Sequence, residues 1–223
     1  GWGGAPAGAR AELIRAAEQL FAEHSVEGVS LRAINRAAGQ RNASALQYHF
    51  ADRDGLLRAV LAKHEPEVSA RRHALLDRCE ASPSTTVRDL SEALVLPLVP
   101  KLTDPDGGRA YLRIAGQLVN EPVKVVEPEE PTYLLLHDEA GSVRRWTAMI
   151  EPHMPDLSVG APLHRRFAAN RFTFIELARR AQEDHPGSDH RLFASHLVDL
   201  VAAIVATPIS AETANLIDPT RRR

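Results

Sequence analysis

A chain of 223 residues suffices for one large domain or for a small domain joined to a larger one. Its 44% hydrophobic content with only 5% aromatics implies a core of Leu, Val, Ile and Ala. The single cysteine, Cys79, excludes an internal disulfide framework and a Cys-rich zinc site, and a net charge of −2 excludes a global basic coat for nucleic acid, so any such binding must be local.

GWGGAPAG, within residues 1–9, reads as a flexible arm with no signal-peptide pattern, and a cytoplasmic location is expected. Residues 10–24, RAELIRAAEQLFAEH, set Leu13, Ala17, Leu20 and Phe21 on one stripe at helical spacing. Gly28 breaks the chain. Ser30 then offers an N-cap hydroxyl to a second helix, LRAINRAA, with Leu31, Ile34 and Ala38 on one side. Gly39 permits the left-handed residue that ends it. Asn42 can cap a third helix, Ala43 to Phe50. Asp52 can cap a fourth, expected over residues 53–81, with Asp54 in its first turn at the positive end of the helix dipole.

Further helices are expected over 84–103, 107–120, 141–151, 162–184 and 189–206, with breaks at DPDGG, EPVKVVEPEEP, MPDLSVGAP and HPGSD. No strand-type alternation is sustained, so the fold class is all-α. The most apolar run, LVDLVAAIVATPI at 197–209, is too short to span a bilayer and carries Asp199 and Pro208; no membrane is expected.

A helix, a break, a short helix, a Gly-containing turn and another short helix make the helix-turn-helix plan. At 100° per residue, Ala43, Leu46 and Phe50 face inward on the third helix and Ser44 and Tyr48 lie nearly opposite, flanked by Ala45 and Gln47. Gln47 can pair with an adenine edge, a serine hydroxyl suits phosphate or base, and Tyr48 and His49 carry donors suited to phosphate oxygens. From Ser30 to Phe50 the sequence holds Arg32, Arg36 and Arg41 and no acid.

LIRAAEQLFAEHSVEGVSLRAINRAAG followed by YHFADRDGLLRAVL resembles the DNA-binding domain of the TetR family of bacterial transcriptional regulators, over about residues 10 to 61. The resemblance implies phosphate contacts by Ser30, Arg32, Tyr48, His49 and Arg53, and base reading by Ser44 and Gln47; Arg41 and Asn42, in the turn, join the candidate interface. It divides the chain into an arm (1–9), a helix-turn-helix domain (10–53) and a helical ligand-binding and dimerisation domain (54–223). Two departures stand out. Eleven residues, Gln40 to Phe50, follow the second-helix glycine where the family has ten, and Ser25 occupies a position usually held by glycine. A left-handed serine there costs on the order of 1 kcal/mol.

The implied function is a homodimeric regulator, most often a repressor, that binds a double-stranded, near-palindromic operator and is released by a small-molecule effector. The alternative is a DNA-binding structural or division factor without an inducer; an enclosed pocket in the helical domain would favour sensing, and a solid core the alternative. The helices near 162–184 and 189–206 are apolar over much of their circumference, which suits a dimer interface or an ordinary core. Pro97 and Pro100 either kink a helix beside a pocket or end it. Arg113, Gln117 and Asn120 are candidate polar groups near a ligand, with Trp146, Met149 and Phe174 as candidate walls. No catalytic fingerprint, cofactor motif or metal-ligand spacing is present: His137, Asp138 and Glu139 are consecutive and point different ways on a helix, and His185, His190 and His196 span a turn. Neither an enzyme nor a metal or cofactor site is expected.

Overall fold

Helix α1 (Ala7–His24) begins three residues before the apolar periodicity requires it, because Ala9 is buried and alanine favours helix. It turns Leu13, Ala17 and Phe21 fully inward. The computed structural model describes residues 7–42, 44–120, 138–183, 187, 189–218 and 220. Of the arm expected at 1–9, residues 7–9 belong to α1; residues 1–6, Ala43, the break at 121–131 and the histidines at 137 and 185 lie outside the described residues.

Ser25 takes φ 133° at the turn after α1, and its Oγ accepts from Gly28 N at 2.8 Å, a local bond that partly offsets the strain. Ser30 caps α2 (Leu31–Ala37), accepting from Ala33 N at 3.1 Å. Gly39 follows at φ 68°, where Gln40 N reaches back to Asn35 O at 3.0 Å. The eleven-residue spacing is accommodated between α2 and α3 (Ser44–Phe50): Asn42 Oδ1 accepts from Ser44 N at 3.0 Å, so the side chain closes the longer turn.

Helix α4 (Arg53–Ala81) has the bounds its signals predict, with Asp52 Oδ1 accepting from Gly55 N at 2.7 Å. Pro66 removes one donor from its ladder without ending it. The helix expected over 84–103 is instead divided. A Thr86–Asp89 capping box starts α5 (Val87–Val95), and a 3-10 turn, Val99–Leu102, follows. Pro97 and Pro100 cannot continue the ladder, so of the two possibilities they end the helix.

Then come α6 (Gly108–Asn120), α7 (Ser142–Ile150), α8 (Arg165–Gln182), α9 (Arg191–Ala206) and α10 (Ala211–Ile217). The last is not expected from periodicity; Ser210 caps it, accepting from Thr213 N at 3.1 Å. The fold is all-α, with no strand among the described residues. No single helix among them is long and apolar enough to cross a membrane, and α9 and α10 reach that content only together, across a 56° bend. One hydrophobic cluster runs from Leu13 to Val205, so the three N-terminal helices share a core with the larger bundle through α4 and α6.

Candidate nucleic-acid interface

Leu46 and Phe50 are buried against α1 and α4, which fixes the rotation of α3 about its axis. That rotation leaves Ser44, Gln47 and Tyr48 outside, with Tyr48 79% exposed. Arg32, Arg36, Arg41 and Asn42 are exposed beside them. Among the described residues none of these three arginines forms an ion pair, and the side chains of Ser44, Gln47 and Tyr48 make no hydrogen bond. The face therefore presents uncompensated positive charge and unspent donors in a chain of net negative charge. A polyanion supplies what this face lacks.

Two sequence candidates have structural engagements. His49 is half-buried; its ring meets Tyr48 edge-on at 5.1 Å and leans on Phe50 at 5.9 Å, and its Nε2 is buried without a hydrogen-bond partner among the described residues. Arg53 Nη1 donates to the carbonyl of Val26 at 2.8 Å and to that of Val29, tying the α1–α2 turn to the start of α4. Ser30 holds its cap and stays exposed.

The six ligand candidates do not converge. Arg113, Gln117 and Asn120 line an open cleft of about 480 Å³ between the end of α1, α6 and α8. Trp146 is buried in the core and spends its indole N–H on Leu90 O at 2.8 Å. Met149 is half-buried against the same core. Phe174 lines a separate interior cavity of about 30 Å³ with Glu65, Ser69, Arg72, Tyr111 and Asn170. Such a space holds water molecules and no effector of ordinary size. Burial pulls the Arg72 guanidinium below its usual pKa and pushes the Tyr111 phenol up to about 12.

Gln117 has a use that its spacing does not reveal. Its Oε1 accepts from Val26 N at 3.0 Å and its Nε2 donates to Phe21 O at 2.9 Å, so α6 grips the end of α1. A second junction escaped the sequence reading altogether. Glu18 of α1 is 2% exposed; its carboxylate lies 3.0 Å from Lys63 Nζ and 2.6 Å from His64 Nε2. Glu18 lies on the edge of the apolar stripe, four residues after Ile14 and four before Ala22, which is the signal that could have marked it. Among the described residues no group of three or more His, Cys, Asp or Glu is arranged to hold a metal ion.

Residues 13–60 match the family model described as bacterial regulatory proteins of the tetR family. Over those residues the chain matches the tetR family. The structure resembles that of an alanine-substituted mutant of the protein HlyIIR, with a TM-score of 0.53 at 13% identity over 91% of this chain and 98% of the other. It also resembles a protein assigned to the tetR family of transcription regulators from Shewanella sp. PV-4, with a TM-score of 0.53 at 18% identity over 88% and 95% of the two chains. At these identities the likeness is one of fold, and it extends beyond the TetR-type domain into the larger bundle. No curated protein matches the sequence.

Proposed function

We propose that this TetR-family regulator binds a near-palindromic operator as a homodimer, acts as a repressor and is released by a small-molecule effector. The observation that carries the reading is the basic, acid-free face of α2 and α3, whose three arginines form no ion pair among the described residues. On that face Ser44 and Gln47 read bases, and Arg32, Arg41, Asn42, Ser30 and Tyr48 hold phosphates. His49 and Arg53 act mainly by supporting α3 and the first turn. The proposed division, 10–53 for DNA and 54–223 for dimerisation and sensing, follows from these roles.

Dimerisation is supported by how α8 and α9 divide their apolar residues. Phe174, Leu197 and Val201 are buried within the protomer, whereas Phe172, Ile175, Phe193 and Ile204 are half-buried and Leu192 is 82% exposed. A two-fold dimer sets its α3 helices in successive major grooves, roughly 34–36 Å apart. Release requires that the effector bind the DNA-incompetent state more tightly than the competent one. The seam cleft, bridged by Gln117, supports such a site because its walls belong to both units.

The 30 Å³ interior cavity favours a second reading, a DNA-binding factor without an inducer. Selection of bound genomic fragments at stated salt tests the shared part of both readings: an enriched near-palindrome is expected, and random recovery would overturn them. Addition of small-molecule pools to the operator complex then separates the two, since only the first predicts release.

A further inference from the structure

A carboxylate buried to 2% has lost its water and must be compensated by protein groups. Glu18 is compensated wholly across the junction between the TetR-type domain and the bundle. Its Oε1 faces Lys63 Nζ at 3.0 Å and its Oε2 faces His64 Nε2 at 2.6 Å, both on α4. The short contact between Oε2 and Nε2 requires one proton shared between the two side chains. The His64 ring in turn stacks on Tyr111 of α6 at 4.7 Å, with its Nδ1 4.0 Å from Asp104. Lys63 is braced from the far side by Asp106 at 2.9 Å.

The backbone is shaped around the same carboxylate. Gly107, just before α6, has φ 81°, and a Cβ there would stand 1.6 Å from Glu18 Oε1. A Cβ there would push the carboxylate off its partners, and the positive φ itself favours glycine. Glu18 thus meets α4 and the entry to α6 at once, while Gln117 grips the same helix at Phe21 and the turn beyond it at Val26. On a helix already packed against α4 and α6, two polar ties at separate points add direction to the apolar contact. Because α1 shares its core with α2 and α3, its direction sets where α3 points.

We propose that Glu18 is a positioning residue for operator binding: its buried carboxylate, seated between Lys63, His64 and Gly107, locks the DNA-binding domain at one angle on the bundle and so fixes the half-site separation the dimer accepts. The assignment rests on the operator-binding reading above, and its test has one arm that needs no DNA. Spin labels on Gln47→Cys and Ser84→Cys, in a Cys79→Ser background diluted with unlabelled protein, report the distance between α3 and the bundle within one protomer. The parent should give a narrow distribution and Glu18→Gln, of the same shape but without the charge, a distinctly broader one at unchanged helix content.

In the second arm, operators selected by the parent are rebuilt with spacers lengthened or shortened by two base pairs. Preference for the native spacing should fall by roughly tenfold in Glu18→Gln, within the usual range of coupling between sites, while affinity for random duplex is unchanged. Gly107→Ala, which crowds the carboxylate while leaving the α1 sequence unchanged and strains the backbone at φ 81°, should reproduce both effects and replaces Glu18→Gln if that variant does not fold. Parent-like distances, or broadened distances with intact spacing preference, would overturn the assignment. Broadened distances with no operator selected by the parent would support the lock and count against the functional reading instead.

Discussion

Tyr48 and Gln47 are neighbours on α3 with different expected costs. Tyr48 is 79% exposed and makes no hydrogen bond among the described residues, so Tyr48→Ala should leave the melting temperature unchanged. A phenol donating to a charged phosphate oxygen contributes about 1.5–3 kcal/mol, and that loss falls on operator and random duplex alike. In the proposed reading Gln47 meets a base edge, where a paired contact contributes about 1–3 kcal/mol of discrimination. Gln47→Ala should therefore weaken operator binding and leave random binding nearly intact. Titration of both duplexes at fixed salt distinguishes the two patterns. Parent-like binding by both variants would mean that α3 is not the reading helix. At this scale the outward residues of α3 were legible because Leu46 and Phe50 fix its phase. His49 Nε2 and Arg53 Nη1 were not, since spacing names a side chain's face and not the carbonyl or ring it meets.

Elements were legible where a cap and a period agree. Asp52 marks the start of α4, and its bounds follow; Pro97 and Pro100 leave two outcomes open that only packing decides. The ligand candidates on α6, α7 and α8 scattered because helical periodicity assigns a buried side without naming its neighbour. Glu18 shows a related limit: its place between Ile14 and Ala22 marks it as facing the core, but spacing does not name the partners that α4 supplies. The joint between α3 and α4 yields a prediction of its own. Gly55 lies in the first turn of α4, where replacing glycine by alanine usually stabilises a helix by about 0.5–1 kcal/mol. Here a Cβ would come 2.0 Å from Phe50 O, a backbone atom that cannot swing aside. Overpacking of this kind costs about 1–3 kcal/mol, so Gly55→Ala should lower the melting temperature and displace α3. A melting temperature equal to or above the parent's would show that α3 and α4 are not in such close contact.

Across the whole molecule, charge at the junction makes stability depend on pH in the acid range. Lys101 is 2% exposed, and its Nζ lies 2.9 Å from Asp104 and 2.7 Å from Glu67. The hydrogen bond from Lys101, aided by the backbone N–H of Asp106, holds the Asp104 carboxyl below the usual carboxylate range; the same lysine lowers Glu67, and Lys63 lowers Asp106. A carboxyl whose pKa is lower in the folded state takes up its proton first in the unfolded chain. Its stabilisation is therefore complete above the ordinary carboxylate range and is lost as pH falls through the depressed value. Protonation of Asp104 also leaves the buried Lys101 with a weaker set of partners, so the loss falls where the 3-10 turn meets α4. Urea unfolding between neutral and strongly acid pH should show flat stability near neutrality and a decline that begins in the ordinary carboxylate range and continues through the depressed values. Asp104→Asn should be less stable than the parent at neutral pH, should decline less steeply, and should converge with the parent at the acid end, where both side chains are uncharged. A variant with the parent's full acid slope would show that Asp104 is not paired with Lys101 in solution.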